Sequence, residues 1–243
     1  MLVKDLVKHY KTTDPNGPPQ QDLNTSMRSD RPVSVRQDDQ ENSEATKGTL
    51  AVKGTSFGVG RGECFALLGV NGAGKSTTFN CITGYDVGSG GEVLLDGVNV
   101  NTYYKKPHLM HKVIGYCPQT NCIDSGASVK TTLTYFAILC GIKSDQIDRA
   151  TDSIMVKCDL KPHENTAAGD LSGGNKRKLC LAMALIGRPK IIYVDEASAG
   201  VDPGARRAMW KAIKSEGADS AVVITTHAME EAEALATKLG IMV

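Results

Sequence analysis

The sequence GVNGAGKS at residues 69–76, called the phosphate loop below, constrains the fold of this chain more than any other stretch. It matches the phosphate-binding pattern G-x-x-x-x-G-K-[ST] at every fixed position. An apolar run at residues 63–68 predicts a buried strand before it, and the residues from Ser76 onward can start a helix. A strand that turns through glycines into a helix directs several backbone N–H groups at one point, which suits the oxygens of a polyphosphate. The alternative is a glycine-rich turn that matches by chance, and the two flanking elements disfavour it.

Two side chains of the phosphate loop have predicted chemical roles. Lys75 would reach the outer phosphates of a nucleotide, and the Ser76 hydroxyl would ligate Mg²⁺. The other nucleotide contacts predicted in and beside the loop are Asn71, Gly72, Ala73, Gly74 and Thr77.

The size and charge of the chain limit its possible functions. Its 243 residues suffice for one large α/β domain, or for a domain with a smaller insertion. The 28 Lys and Arg residues nearly cancel the 27 Asp and Glu residues, which gives no electrostatic reason to expect nucleic acid as the main partner. No apolar run is long enough to span a bilayer, and residues 1–5 do not read as a signal peptide. A membrane link is therefore expected only through a partner or through chain outside this sequence.

The cysteines predict neither a metal site nor a disulfide framework. The seven cysteines are scattered singly, mostly in apolar surroundings, and none forms a C-x-x-C pair. We expect reduced core thiols in the cytosol.

Apolar strands that alternate with helical patterns predict an α/β fold with a largely parallel sheet covered on both faces. Residues 14–48 lack aromatic side chains and are rich in Pro, Gln, Asp, Asn and Ser, so we expect a disordered or mobile insertion there. A kinase site at residues 31–34 is a less favoured interpretation of that insertion. Residues 129–165 predict a helical insertion, with Ser144 or Asp145 as an N-cap, and the helical pattern near the end covers residues 226–239.

An acidic pair follows a buried strand. The apolar residues 191–194 lead directly into Asp195 and Glu196, at the end of a strand where open α/β sheets place ligands. Asp195 is predicted to be a second holder of Mg²⁺, and Glu196 to polarise an attacking water. The alternative is two solvated acids in a loop.

Residues 171–175, LSGGN, offer a second possible anion site. A serine hydroxyl, bare glycine backbone and a helix N-terminus come together there. Taken alone, the stretch is an ordinary N-capped helix.

The order of these motifs resembles the ATP-binding cassette ATPases over nearly the whole chain except residues 14–48. Pro118 and Gln119 match the family's Q-loop, residues 200–203 (GVDP) match its D-loop, and His227 matches its switch histidine. The resemblance implies one nucleotide-binding domain over residues 1–243. It also implies a P-loop NTPase core with a mostly parallel sheet, an antiparallel β subdomain and a helical subdomain over about residues 120–180.

The resemblance also implies roles for individual residues. Glu196, His227 and Lys75 would be catalytic, Gln119 would sense Mg²⁺ and water, and Asp202 would be the D-loop residue. Tyr10 would stack on adenine, with Val52 beside the adenine or ribose. The signature residues, which would cover ATP bound to a partner cassette, are Leu171, Ser172, Gly173, Gly174 and Asn175.

Finer details look like subfamily A, the lipid-associated transporters. Residues 114–119 (IGYCPQ) and 172–178 (SGGNKRK) are similar to that group, and residues 227–235 look more like its second cassette than its first. Two features depart from the family pattern: Ala197 follows Glu196 where proline is common, and the chain stops at Val243 where the family continues. We therefore expect a fragment truncated at its C-terminal end.

The resemblance implies hydrolysis of MgATP to power transport at the cytoplasmic face of a membrane, with lipid as the expected cargo. The implied cofactors are ATP and Mg²⁺. The implied partners are transmembrane domains and a second cassette, either in the same parent chain or as a homodimer, with no nucleic acid.

Two alternatives remain open. One is a non-transport cassette ATPase acting on ribosomes or DNA, which the balanced charge disfavours and which transmembrane helices in the parent gene would exclude. The other is a regulatory module that closes on ATP without turnover, which rapid steady-state hydrolysis would exclude.

Overall fold

A computed structural model describes residues 1–10, 48–70, 72–106, 109–110 and 113–243. The predicted insertion at residues 14–48 lies outside these ranges except for its last residue, and Asn71 lies outside them too. Within the described ranges, no helix is both long and apolar enough to cross a bilayer.

The strands of the described residues form two separate sheets. In chain order they are β1 (Leu2–Tyr10), β2 (Thr49–Gly58), β3 (Cys64–Gly69), β4 (Gly90–Leu95), β5 (Val98–Asn99), β6 (Ile114–Cys117), β7 (Ile191–Asp195), β8 (Ala221–Thr225) and β9 (Lys238–Met242).

The helices cover both sheets. In chain order they are α1 (Lys75–Thr83), α2 (Val100–Lys105), α3 (Val129–Leu139), α4 (Ile147–Lys157), α5 (Gly173–Leu185), α6 (Pro203–Gly217) and α7 (Met229–Leu235).

The larger sheet is parallel, with the strand order β6-β7-β8-β3-β9. Strand β8 is buried at every position, and β7 is buried up to Asp195, as expected for strands covered on both faces. The smaller sheet is antiparallel, with the order β2-β1-β4-β5. The predicted α/β class, with its parallel and antiparallel sheets, is confirmed.

The parallel arrangement gathers the predicted site residues at one edge. Since the carboxyl ends of parallel strands meet at the same edge, the segments after β3, β6, β7 and β8 lie near one another. The phosphate loop follows β3, Gln119 follows β6, Glu196 follows β7 and His227 follows β8.

An aromatic contact fixes the helix after the phosphate loop against the strand that ends in Asp195. Phe79 of α1 and Tyr193 of β7 are both fully buried, with ring centroids 5.5 Å apart in an edge-to-face arrangement. The Tyr193 hydroxyl donates to the Ile82 carbonyl over 2.9 Å. Helix α1 therefore cannot shift far relative to β7 without breaking a buried hydrogen bond.

Two local expectations were wrong, and one helix was missed. Ser144 and Asp145 do not cap a helix: residues Ser144–Gln146 form a 3₁₀ turn, and α4 begins after it without a side-chain cap. The helix predicted over residues 226–239 is limited to α7, because the chain from Lys238 pairs with β3 instead. Helix α2, which Asn99 caps by accepting the Asn101 N–H over 3.0 Å, was not predicted.

All seven cysteines are free thiols. Burial raises the pKa of Cys64, Cys117 and Cys158 to about 12, which keeps these thiols protonated and unreactive. Cys122 is exposed. The expected cytosolic setting of these thiols stays a prediction.

Gly115 in β6 allows α5 to approach the parallel sheet. A Cβ added there would lie 2.0 Å from the Ala184 carbonyl oxygen, which belongs to helix backbone and cannot swing away. Gly115→Ala is expected to lower the free energy of unfolding by about 3 kcal/mol, because the helix must move off the strand. Urea denaturation followed by circular dichroism measures the change.

Gly126→Ala is the matched control for this substitution. A Cβ at Gly126 would meet no atom closer than Asp124 Oδ1, at 3.6 Å. Equal urea midpoints for the two variants would contradict the packing described here.

Candidate functional site

Close backbone packing shapes the phosphate loop. A Cβ at Gly69 would lie 2.5 Å from the Met242 carbonyl oxygen, and one at Gly74 would lie 2.5 Å from the Ala51 carbonyl oxygen. The φ angles of Gly72 and Gly74 are 88° and 92°, in the left-handed region that favours glycine. The loop thus presents bare backbone, held between β2 and β9, to whatever it binds.

Lys75 lies against the loop from which it projects. It is the first residue of α1 and is 7% exposed. Its ammonium donates to the Gly69 carbonyl over 2.6 Å and to the Val70 carbonyl over 3.1 Å. Gly74 supplies no side-chain cap to α1, so the first N–H groups of this helix have no capping side chain. A cation and a helix N-terminus together favour an anion here.

Thr225 holds the acidic pair. Asp195 ends β7, and its carboxylate accepts a short hydrogen bond from the Thr225 hydroxyl of the neighbouring strand. The Glu196 N–H donates to the Thr225 carbonyl and to its hydroxyl, each over 3.1 Å. Glu196 has a φ of 42°, which a non-glycine residue adopts only where its surroundings impose it. This left-handed turn ends the strand immediately after Asp195.

The environment raises the pKa of the Asp195 carboxyl. Burial is the largest cause, and the negative charge of Glu196 acts in the same direction. The hydrogen bond from Thr225 opposes these effects most strongly, followed by the positive charges of Arg177 and Lys75. The ionised carboxylate is therefore held in a place that favours a nearby cation.

Three strand ends meet at the Glu196 carboxylate. The Gln119 side-chain amide donates to Glu196 Oε2 over 3.0 Å. On the other side, His227 Nδ1 lies 3.8 Å from Glu196 Oε1. Gln119 and His227 are exposed, so this cluster opens to solvent. The structure brings together Glu196 and His227, which were predicted to be catalytic, and Gln119, which was predicted to sense Mg²⁺ and water.

The predicted metal donors suit a hard divalent cation. Ser76 offers an exposed hydroxyl, Asp195 a carboxylate and Gln119 an amide oxygen, and Mg²⁺ prefers oxygen ligands. Mg²⁺ commonly binds through one or two protein side chains and takes its remaining ligands from phosphates and water. Such a donor set next to a bare-backbone loop therefore fits Mg²⁺ carried by a polyphosphate. Within the described residues, no cluster of three or more His, Cys, Asp or Glu side chains is placed to hold a metal.

The signature residues form the beginning of α5. Ser172 is the N-cap, and its hydroxyl accepts the Asn175 N–H over 3.3 Å. A Cβ at Gly174 would lie 2.9 Å from Asp202 Oδ2, so the signature packs closely on the D-loop. Asn175 Nδ2 lies 3.0 Å from His163 Nε2. Leu171 is buried, whereas Ser172 and Gly173 are exposed.

Asp202 caps the helix that follows the D-loop. Its carboxylate accepts the N–H groups of Gly204 and Ala205 over 3.0 and 2.9 Å. These bonds, above all the one from Ala205, lower the pKa of Asp202. The signature and the D-loop thus form one patch, whereas the phosphate loop packs on β2 and β9.

The two residues predicted to contact the base differ in exposure. Tyr10, at the end of β1, is 42% exposed. Its hydroxyl donates to Asp86 Oδ2 over 3.2 Å, and the Lys8 ammonium lies 5.0 Å from its ring centre. Val52 is 1% exposed and packs in the core. Stacking by Tyr10 and the contact of Val52 with adenine or ribose stay predictions.

Sequence reasoning missed two residues of this site. Thr225 is a polar residue at the end of a buried apolar run, and this is the same signal that identified Asp195. Arg177 is 6% exposed and donates to the carbonyl of Ala197, the residue after Glu196. Sequence reasoning missed it because a charged residue on a helix usually indicates a solvated face.

Comparison with known proteins agrees with the family resemblance of the sequence motifs. The family model described as ABC transporter matches residues 52–199, which is more than half of the chain. Two curated relatives match most of it. ATP-binding cassette sub-family A member 7 of Rattus norvegicus is 43% identical over 194 residues, covering 79% of this chain and 9% of that protein. The phospholipid-transporting ATPase ABCA3 of Homo sapiens is 41% identical over 195 residues, covering 80% of this chain and 11% of that protein. This chain therefore spans only about a tenth of the length of these relatives.

Solved structures share the fold. cbiO1 from Clostridium perfringens, part of the ABC transporter complex cbiONQ, matches with a TM-score of 0.72 and 27% identity, covering 82% of this chain and 80% of that one. An ATP-binding cassette solved as a dimer in a post-hydrolysis state with ADP and Pi matches with a TM-score of 0.75 and 18% identity. The match covers 99% of this chain and 93% of that one. At that identity, the second match supports the fold alone. The predicted resemblance, including that to subfamily A, is confirmed.

The raised pKa of Asp195 predicts a pH-dependent effect on stability. The folded protein binds this proton more tightly than the unfolded chain, whose carboxyl keeps the ordinary pKa of 3.8. The contribution of Asp195 to stability therefore falls as the pH rises through the interval above 3.8. Asp195→Asn is expected to raise the midpoint of urea unfolding at pH 7, with a gain that shrinks as the pH falls towards 3.8.

Asp145→Asn, on an exposed carboxylate, serves as the control and should leave the urea midpoint unchanged. A drop in stability of the Asp195 variant at pH 7 would show that the carboxylate is stabilised by its surroundings, contrary to this account.

Proposed function

This chain belongs to the ABC transporter family, and we propose that it binds MgATP and hydrolyses it at an interface with a second cassette. One observation carries the proposal. The Glu196 carboxylate lies between Gln119 and His227, at the edge of the parallel sheet from which the phosphate loop also projects. A base, a polar orienting group and a histidine beside a phosphate-binding loop are the parts that phosphoryl transfer to water needs.

Binding rests on the phosphate loop. Backbone N–H groups of residues 72–77 and the N-terminus of α1 would donate to the phosphate oxygens. Lys75 would transfer its ammonium from the Gly69 and Val70 carbonyls to the outer phosphates, which makes charge-assisted hydrogen bonds in place of neutral ones.

Asp195, Ser76 and Gln119 would hold the magnesium ion. Mg²⁺, when bound, neutralises part of the phosphate charge and of the charge that develops during transfer. The Thr225 hydroxyl donates a hydrogen bond to the Asp195 carboxylate and keeps it oriented. Such a donated bond favours the ionised form of the carboxyl.

Glu196 would act on the attacking water. Its Oε2 is held by Gln119, which leaves Oε1 on the side of His227. A carboxylate in this position can accept a hydrogen bond from the water and orient its lone pair towards the terminal phosphorus. Glu196 would take one proton from the water as the new P–O bond forms and the bond to the ADP oxygen breaks, which would give ADP and inorganic phosphate. His227 would contact the terminal phosphate and hold this geometry.

The second half of the site would come from another cassette. Ser172 and Gly173 are exposed at the N-terminus of α5, and a Cβ added at Gly173 would meet no atom within 4 Å. A hydroxyl and a helix N-terminus that face solvent suit the phosphates of a nucleotide bound elsewhere. The partner is a second cassette of the same parent protein or a second copy.

The parent protein would use this hydrolysis to move lipid. The relative ABCA3 is named a phospholipid-transporting ATPase, and cbiO1 is described as part of a transporter complex. We therefore place this chain on the cytoplasmic face of a membrane, attached to transmembrane domains. Its near-zero net charge gives no support to an alternative role on nucleic acid.

Glu196→Gln tests the catalytic step. The amide cannot accept the water proton as the carboxylate does, so kcat for ATP is expected to fall at least about a hundredfold, while ATP binding is kept. Phosphate release gives kcat, and fluorescence titration with a nucleotide analogue gives affinity. The control is Glu233→Gln, the same change on an exposed residue of α7, which should keep wild-type turnover. If wild-type protein, assayed together with its second cassette, binds MgATP but shows no turnover above the Glu196 variant, the chain is a regulatory module and not an ATPase.

Lys75→Ala tests the phosphate loop. Loss of the ammonium removes the charge-assisted bonds to the outer phosphates, so the affinity for ATP is expected to fall by a factor of about ten to a hundred. Lys143→Ala, on an exposed lysine after α3, is the matched control. Isothermal titration calorimetry measures both variants, and unchanged ATP affinity in the Lys75 variant would refute the assignment of the loop.

A further inference from the structure

Arg177 is a buried cation that is not used by the chemistry proposed above. It lies on α5, two residues after the signature, and is 6% exposed. Burying an arginine is unfavourable unless its N–H groups find acceptors. The acceptors of Arg177 belong to two segments, one that carries Glu196 and one that carries Gln119.

The first contact is to the turn that carries Glu196. Arg177 Nε donates to the Ala197 carbonyl over 3.0 Å. Ala197 is buried, and it follows the residue whose φ of 42° is strained. A proline at position 197 would fix the φ angle there through its ring, whereas alanine does not. The shape of this turn therefore depends on contacts such as the one from Arg177. The guanidinium holds the turn after Glu196, and Thr225 holds it before.

The other contacts are to the segment that carries Gln119. Arg177 Nη1 lies 3.3 Å from Asn121 Oδ1, and Nη2 lies 3.9 Å from Cys117 Sγ. Cys117 ends β6 two residues before Gln119, and Asn121 comes two residues after it. One guanidinium therefore holds this segment on both sides of Gln119.

We propose that Arg177 is a positioning residue, which couples the signature helix to the Glu196–Gln119 pair of the same chain. A guanidinium is planar and rigid, so its three contacts fix three segments relative to one another. When a second cassette's nucleotide engages Ser172 and shifts α5, Arg177 carries that shift to the backbone beside Glu196 and to the segment that holds Gln119. This regulatory role rests on the proposed hydrolysis at the two-cassette interface.

Lys178 provides a matched control on the same helix. It is buried to a similar degree, 4% exposed, and its ammonium donates to the Asp159 carbonyl over 2.9 Å and to Asp159 Oδ2 over 3.0 Å. Those contacts tie α5 to the loop after α4. A substitution there removes a buried cation from α5 and leaves the contacts of Arg177 in place.

The experiment compares Arg177→Met, Arg177→Lys and Lys178→Met in the intact protein. Methionine fills similar space without donors, and lysine keeps the charge but cannot bridge three acceptors. We expect both Arg177 variants to lose kcat for ATP by about a hundredfold, because the catalytic pair is misplaced by about an ångström. KM should stay within about threefold, since the phosphate loop makes the binding contacts. Lys178→Met should keep kcat within about threefold of wild type at a comparable loss of stability.

Hydrogen exchange gives a second readout that does not need turnover. The N–H groups of Glu196 and Ala199 form bonds within or beside the turn, and they should exchange faster in both Arg177 variants and at the wild-type rate in Lys178→Met. If wild-type protein does not hydrolyse ATP, the proposed function fails, and this exchange comparison still decides the role of Arg177. The inference is overturned if Arg177→Lys keeps wild-type kcat and exchange, or if the Arg177 and Lys178 variants lose kcat to the same extent.

Discussion

The two hydrogen bonds that link the Thr225 hydroxyl to Asp195 and to the Glu196 N–H are the interaction on which the site depends. Burial and the neighbouring negative charge of Glu196 both disfavour the ionised form of Asp195. The hydroxyl can serve both neighbours because it donates to one and accepts from the other. It can reach them only because β7 and β8 pair in parallel with Asp195 opposite Thr225. Strand register, a backbone property, thereby fixes the placement of the charged groups.

The other elements maintain that edge of the sheet. The Phe79–Tyr193 contact sets α1, and with it the phosphate loop, against the acidic strand. Gly115 lets α5 lie close on β6, which places the signature helix near the segment after that strand. Arg177 then joins this helix to the segments that carry Glu196 and Gln119. The site is therefore assembled from four strand ends, and each is restrained by a contact with an element distant in sequence.

Sequence reasoning found the parts that carry a local signal. The phosphate loop, the acidic pair and His227 each follow an apolar run directly, and the order of the motifs identified the family. The roles of Thr225 and Arg177 depend on which strands pair and which helix packs on them, and no local pattern encodes either. The burial of Val52 depends on how β2 packs in the core, which no local pattern encodes either. The cap at Ser144 failed because a 3₁₀ turn competes with an α-helical start at that place.

The bonds between Lys75 and the carbonyls of its own loop have a consequence for selectivity. Any ligand must compete with Gly69 and Val70 for the same ammonium, and the free energy of breaking those two bonds is the same for every ligand. A triphosphate places oxygens and negative charge where the Lys75 ammonium can bind them. A monophosphate or a nucleoside has no outer phosphate to replace the two broken bonds. Under the proposed function, the folded loop would therefore discriminate between nucleotides by the length of their phosphate chain.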